Sequence, residues 1–334
     1  MKRSKYSLLG AALAAGVLAA TLASPAAADP TPQPKDVVGV GSDTSQYALN
    51  YLADGVVVGG SLSNGYNSNA SGARLVSFDA LVPGNTNQIV LKAGTSPINR
   101  PNGSGSGKAL LYGAGNNPNV NFARSSSGPS SAENSAGLWH VPFAVDGMRL
   151  AVATNSNAPA SITGAHLVDI YKGNITNWDQ IGGQSGVIVP MVPQSGSGTR
   201  SFFEAQLKAL NGNVAVTYGP AVVDTVQEHD AAPIAANPNA VAPFSTGRFN
   251  GTTGIKLVQG AGSFSAQRAL YNVVRSADLT APWFSSMFAT SGFACSGAAY
   301  SLIEAAGFTQ LATPDDGGVC GVPTQAATTN FTTL

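Results

Sequence analysis

Residues 187–210 read VIVPMVPQSGSGTRSFFEAQLKAL, and this stretch predicts a strand, a polar turn and a helix in succession. The apolar run 187–192 is typical of a short buried strand, and the turn 193–200 that follows contains two glycines and two serines. Apolar side chains then recur at helical spacing, at Phe203, Leu207 and Leu210. A helix that begins on such a turn presents unpaired backbone N–H groups and a partial positive charge, and both favour a bound anion.

The end of this turn carries side chains that suit a tetrahedral oxyanion. The hydroxyls of Ser197 and Thr199 are neutral donors, and Gly198 lets the backbone come close to a ligand. The guanidinium of Arg200 adds a forked pair of donors. The competing interpretation is an ordinary N-cap by Ser197 or Thr199 followed by a surface arginine, and the spacing does not separate the two.

A similar unit is predicted near the N-terminus, where the strand pattern 37–40 leads through a polar turn into a helix that contains Tyr47 and is closed by Gly55. The turn contains Ser42, Asp43 and Thr44. A carboxylate beside an anion accepts a hydrogen bond from a protonated oxyanion and repels a fully deprotonated one, so Asp43 is a candidate for ligand selection. The alternative is that Asp43 or Thr44 only caps the helix.

Two further segments complete the set of polar turns. A strand pattern at 88–91 precedes a loop in which Ser104 and Gly105 lead into a third candidate helix. Another short strand ends at Arg124 and Ser125, which offer a second cation and further hydroxyls. The alternative for Arg124 is a solvated loop arginine.

Strands that alternate with helices indicate an α/β fold with mixed sheets flanked by helices. A length of 334 residues suggests two lobes, and the alternating patterns 139–154 and 269–274 predict two strands that cross between them. We therefore expect residues 29–142 to form the first lobe, residues 143–270 the second, and residues 271–334 to return to the first lobe.

The N-terminus predicts an exported protein. Residues 1–28 combine a basic start, an apolar run at 8–22 and an A-x-A cleavage site, which together predict a cleavable signal peptide rather than a permanent transmembrane helix. No cysteine lies near this site, so a lipid anchor is not expected and the protein is placed outside the cell or in the envelope space. Cys295 and Cys320 are then expected to form a structural disulfide.

Composition and motifs exclude several functions. The 17 basic residues balance 17 acidic ones without a basic block, so a nucleic-acid partner is not expected. The histidines, at positions 140, 166 and 229, lack metal-ligand spacing, and no metal or cofactor is predicted. No serine has glycine both two residues before and two residues after it, and the phosphate-loop and dinucleotide patterns are incomplete. No catalytic residue is therefore assigned.

Two motifs in the second half resemble the phosphate-binding proteins of ABC transporters, within the type 2 periplasmic-binding-protein superfamily. They are DIYKGNITNW at 169–178 and SGSGTRSFF at 195–203, in the order and at the separation typical of that family. The Ala- and Gly-rich composition is similar to an actinobacterial branch of it.

The resemblance implies two α/β lobes that close over phosphate or a related oxyanion, with an ABC permease as partner and a monomeric, non-catalytic protein. Closure is expected to use a hinge near residues 141–144 and 269–274. The ligand-binding residues expected from the turns and the resemblance are Ser42, Asp43, Thr44, Ser104, Gly105, Arg124, Ser125, Ser197, Gly198, Thr199 and Arg200.

Two departures from the family pattern concern its charged residues. The family's arginine, four residues before the S-G-T serine, is Pro193 here, and Arg200 is the expected substitute. The family's acid is expected between residues 122 and 126, where this chain has none, which leaves Asp43 as the candidate. The choice between phosphate and sulfate therefore stays open.

Two other functions are compatible with the sequence. One is a secreted interaction or scaffold protein of the same fold that has lost transport, which the missing lipid anchor and the missing arginine favour. The other is a secreted phosphoester hydrolase that uses an exposed serine, although no base or metal constellation accompanies one.

Overall fold

The computed structural model describes residues 29–70, 72–80 and 87–334. The predicted signal peptide, residues 1–28, lies outside the described residues. The strands are β1 (Val37–Gly41), β2 (Val56–Val58), β3 (Ser61–Ser63), β4 (Leu75–Ser77), β5 (Gln88–Ile89), β6 (Ile98–Asn99), β7 (Phe122–Ser125), β8 (Leu138–Ala153), β9 (Val189–Pro193), β10 (Val223–Val226), β11 (Ala240–Ser245), β12 (Ile255–Leu257), β13 (Ala266–Arg275) and β14 (Thr309–Gln310). The α-helices are α1 (Gln46–Asp54), α2 (Ser104–Lys108), α3 (Ser131–Ser135), α4 (Gly164–Lys172), α5 (Gly198–Leu210), α6 (Ala232–Ala235), α7 (Thr246–Phe249), α8 (Pro282–Met287) and α9 (Tyr300–Ala305).

One large mixed sheet runs through the molecule in the order β10-β9-β11-β8-β13-β7-β1-β4, and β12 and β14 also pair with β8. At one end β1 pairs in parallel with β4 and β7, and at the other end β9 pairs in parallel with β10 and β11. The long strands β8 and β13 are antiparallel and join the two ends. Parallel strands flanked by helices confirm the predicted α/β class.

Separate hydrophobic cores divide this sheet into two lobes. The first core extends along β8 as far as Val145 and along β13 as far as Ala269, and it includes the disulfide cysteines. The second lobe has a core on each face of its sheet, one around Trp178 and one around Phe244. On β8 the first core ends at Val145 and the second begins at Met148. The boundary between the cores therefore lies slightly beyond the expected hinge segment on that strand, residues 141–144.

Local sequence explains how the individual elements begin and end. Helix α4 starts where the Thr163 hydroxyl accepts a hydrogen bond from the His166 N–H, and it stops at Gly173, whose φ of 81° favours glycine. Helix α2 begins at Ser104, directly after Gly103, where the chain turns sharply with a φ of 104° that favours glycine.

The disulfide between Cys295 and Cys320 is present, as predicted. In the described part of the chain, no helix is both long enough and apolar enough to span a membrane. Within the same residues, no group of three His, Cys, Asp or Glu side chains is arranged to hold a metal ion.

Candidate functional site

Hydroxyl groups from four separate turns meet at the crossing of the two lobes. They belong to the turn after β1, the start of α2, the turn after β7 and the start of α5. We call this group the hydroxyl web, and its members, all fully buried, are Ser42, Thr44, Ser104, Ser126 and Thr199. The Ser126 Oγ is central, at 3.2 Å from Ser42 Oγ, 3.1 Å from Thr44 Oγ1 and 3.4 Å from Ser104 Oγ.

The web connects the lobes directly. Thr44 of the first lobe and Thr199 of the second have their hydroxyl oxygens 3.3 Å apart. Beside them the Gly105 N–H donates to the Gly196 carbonyl across the cleft, at 2.9 Å. Gly198 lies so near the Ser104 and Ser126 hydroxyls that a Cβ atom there would collide with both. A glycine is therefore needed at the start of α5 for the lobes to approach this closely.

Arg268 of β13 supplies a cation that the sequence patterns did not select. Its Nη2 lies 3.0 Å from the Thr199 hydroxyl and 3.4 Å from the Thr44 hydroxyl, and its Nη1 donates to the Ser126 carbonyl at 3.3 Å. The signal that could have identified it is a charged side chain in the middle of a buried alternating strand, since such residues are rarely buried without a partner.

The partner of Arg268 is Asp146, on the neighbouring strand β8. The Asp146 Oδ2 accepts from the Arg268 Nε at 3.0 Å and Nη2 at 2.8 Å, and its Oδ1 accepts from the Ser245 hydroxyl at 2.7 Å. Both charged side chains are buried. The pair lies where the lobes meet, so the guanidinium reaches turns from both.

An acidic residue also enters the web, and it is Glu228 of the loop between β10 and α6. Its Oε1 accepts a hydrogen bond from the Thr44 hydroxyl at 2.9 Å and from the Thr199 N–H at 3.3 Å. The Gln194 side chain fixes the Glu228 backbone by accepting from its N–H at 2.8 Å. Local sequence gave no signal for this residue, because the contact joins positions 184 residues apart.

Asp43, the predicted acid, points away from the web. Its Oδ2 lies 2.7 Å from the His229 Nδ1, and its Oδ1 lies 3.6 Å from an Arg248 nitrogen, so it joins the lobes at the rim of the cleft. The Arg248 guanidinium also stacks on the Tyr47 ring, 4.1 Å from its centre. Burial by itself would raise the pKa of Asp43, but the charge of Arg248 and the His229 hydrogen bond hold that pKa below its ordinary value.

Arg124 and Ser125 lie behind the web and do not contact its hydroxyls. The Arg124 guanidinium donates to the Ser42 carbonyl at 3.1 Å and to the Ser77 hydroxyl at 2.6 Å, which supports the turn after β1 from below. Burial lowers the pKa of Arg124 to about 10, so it is still a cation at neutral pH. The Ser125 hydroxyl donates to the Ser127 carbonyl.

Arg200 also turns away from the web. Its Nε donates to the Glu204 carboxylate at 2.9 Å, one helical turn along α5, and its Nη1 donates to the Pro193 and Asp224 carbonyls. The Ser197 hydroxyl accepts from the Arg200 N–H at 3.0 Å and so caps α5. The structure thus matches the alternative interpretation of this turn for Ser197 and Arg200, whereas Gly198 and Thr199 face the web.

Two α/β lobes, joined by crossing strands and facing each other through polar helix starts, define a binding protein of the periplasmic-binding-protein class. A family model described as a PBP superfamily domain matches residues 30–272, so this chain belongs to the PBP superfamily. No curated protein matches the chain by sequence.

Solved structures share the fold at low sequence identity. A protein from Clostridium perfringens, assigned as a phosphate ABC transporter substrate-binding protein and solved with phosphate bound, is 18% identical, with a TM-score of 0.61 over 83% of this chain and 99% of that one. An ABC-type phosphate transport receptor from Vibrio cholerae is 20% identical, with a TM-score of 0.55 over 82% and 99% of the two chains. These similarities establish the fold that the sequence predicted.

Proposed function

We propose that this protein captures phosphate, or a similar tetrahedral oxyanion, between its lobes and presents it to an ABC permease. The observation that carries the proposal is the hydroxyl web around Arg268. Hydroxyl donors from both lobes, the Thr199 N–H at the start of α5 and one guanidinium converge on one buried point. These are the neutral and charge-assisted donors that tetrahedral oxyanions require.

The charge balance of the site is consistent with reversible capture. Arg268 is already paired with Asp146, so the site offers mainly oriented dipoles and a neutralised cation rather than a large excess of positive charge. A dianion held by hydrogen bonds in this way is released when the lobes separate, because the donors from the two lobes then move apart.

Transport rather than catalysis is part of the proposal, and membership of a superfamily of binding proteins supports it. The two similar structures are named as a substrate-binding protein and a transport receptor of ABC systems, which favours an ABC permease as the partner here. The predicted signal peptide favours a position outside the cytoplasmic membrane.

The proposal is tested with the mature chain, from residue 29, by thermal denaturation and titration calorimetry with phosphate, sulfate, molybdate and a phosphonate. A ligand at 100 times its dissociation constant stabilises the folded state by about 2.7 kcal/mol. Stabilisation by another of these anions but not by phosphate reassigns the ligand. Stabilisation by none of them refutes capture and favours the scaffold function, and phosphate release from an ester would indicate a hydrolase.

A further inference from the structure

The Glu228 carboxylate makes the contacts that a bound oxyanion would need. One of its oxygens accepts from the Thr44 hydroxyl of the first lobe and from the Thr199 N–H of the second. These two donors belong to the polar turns on which the proposed binding function depends. An oxyanion cannot take either hydrogen bond fully while Glu228 holds it.

The other carboxylate oxygen, Oε2, is buried and has no hydrogen-bond partner among the described residues. Glu228 as a whole residue is 2% exposed. A buried carboxylate oxygen without a donor is costly, so Glu228 is incompletely satisfied where it lies. This position suits an exchangeable group better than a permanent structural one.

We propose that Glu228 is a built-in carboxylate ligand, which fills the anion position when the site is empty and leaves when an external oxyanion binds. The inference rests on the proposed function and assigns a competitor to the same site. Asp146 already balances the charge of Arg268. A second anion beside Glu228 would therefore meet an excess of negative charge in a poorly screened interior, so exchange is favoured over simultaneous binding.

The structure offers a place for the displaced side chain. A cavity of about 350 Å³ adjoins Glu228 and is also lined by Tyr47, Gln227 and Arg248. The Arg248 Nε is buried and, within the described residues, has no hydrogen-bond partner. Asp43, whose Oδ1 lies 3.6 Å from an Arg248 nitrogen, and Asp230 also line this cavity. A carboxylate that rotates towards the guanidinium therefore exchanges two neutral donors for a charged donor that it shares with Asp43.

The Glu228 carboxylate also bridges the two lobes. Glu228 of the second lobe is bonded to Thr44 of the first, so the internal carboxylate makes the same bridge between lobes that the ligand would make. The binding free energy of an external oxyanion is then the difference between its own interaction with the site and that of the Glu228 carboxylate. The measured affinity is lowered by the fraction of molecules in which Glu228 occupies the position.

The test compares the wild-type protein with Glu228→Ala and Glu228→Gln, and uses Asp224→Asn as a matched control. Asp224 is an exposed acid of the same lobe, four residues earlier, so its change removes equal charge without touching the web. If Glu228 is displaced in about one molecule in ten, Glu228→Ala should bind phosphate about tenfold more tightly. Glu228→Gln should move in the same direction, and Asp224→Asn should bind like the wild type.

Chemical rescue provides a second readout that does not depend on phosphate. Millimolar formate, a free carboxylate, should raise the melting temperature of Glu228→Ala and leave that of the wild type unchanged. If both Glu228 variants bind phosphate more weakly than the wild type, and formate has no effect, Glu228 is not a competitor and the inference is overturned. If no oxyanion binds any variant but formate still stabilises Glu228→Ala, the proposed function fails and the internal carboxylate ligand stands.

Discussion

Replacing Arg268 by methionine should remove most of the affinity for an oxyanion. Its guanidinium is the charged donor that reaches hydroxyls of both lobes, at 3.0 Å from Thr199 Oγ1 and 3.4 Å from Thr44 Oγ1. Hydrogen bonds to charged groups contribute about 1.5–3 kcal/mol each. Loss of one such bond to the ligand corresponds to a dissociation constant about 10 to 150 times larger.

The same change also affects folding, because Asp146 would remain buried without its cation. Breaking a buried ion pair from one side costs about 3–5 kcal/mol. The Ser245 hydroxyl, at 2.7 Å, and the Gly247 N–H, at 3.3 Å, offset part of that cost. We therefore pair Arg268→Met with Asp146→Asn, since the double variant removes both charges and should recover most of the stability without recovering binding.

The measurements are urea denaturation for stability and titration calorimetry for phosphate binding. Arg200→Ala is the matched control, because it deletes a guanidinium that faces Glu204 and the outer surface of α5. It should leave phosphate binding unchanged. Wild-type affinity in the double variant would refute the assignment of Arg268 as the ligand-binding cation. Loss of binding in Arg200→Ala would also refute it and would assign that role to the arginine that follows the S-G-T motif.

Three other predictions follow from buried features of the molecule. Gly198→Ala should weaken oxyanion binding without unfolding α5, because its Cβ would collide with hydroxyls of the other lobe. The control Gly297→Ala adds its Cβ in open space and should bind the oxyanion normally. Calorimetry on both variants checks this prediction, and equal affinities would contradict it. Burial, together with the charge of Lys108, lowers the pKa of His140 to about 3. The folded imidazole then stays neutral while the unfolded one gains a proton, so stability should fall as the pH drops from about 6.5 to about 3, by up to about 1.4 kcal/mol per unit. His140→Gln should flatten that dependence in urea titrations, and an unchanged slope would show that other groups cause it. Reduction of the Cys295–Cys320 disulfide, which links positions 25 residues apart, should lower the free energy of unfolding by about 3 kcal/mol, and a denaturation midpoint insensitive to reductant would disprove this.

The elements that sequence predicted well are those whose signals are local. The apolar run before residue 193 became β9, and the helical spacing after the Gly/Ser turn became α5, which begins at Gly198. The end of α4 at Gly173 is equally local, because it depends only on a glycine that accepts the left-handed φ there. The two crossing strands were predicted from alternation alone, and both are present as β8 and β13.

The charged groups of the site were not predictable in this way. Arg268 meets Thr44 across 224 positions and Glu228 meets it across 184, so both contacts depend on how the strands are ordered in the sheet. The local motif pointed instead to Arg200. A long side chain at the start of a helix finds nearer partners, and here it pairs with Glu204 at the i+4 position.

The position of Arg268 has a consequence for how capture would begin. The residue lies on a strand that passes between the lobes, and its neighbour across the sheet is Asp146. When lobes separate about crossing strands, groups on those strands move least, whereas Thr44 and Thr199 on opposite lobes move apart. We therefore expect Arg268 to remain in place in an open molecule and to meet the oxyanion first.

The hydroxyls of the two lobes would then close over the ligand, so Arg268→Met with Asp146→Asn should slow association, and Gly198→Ala should mainly speed dissociation, in stopped-flow measurements. Equal effects of the two changes on both rates would argue against this order of events.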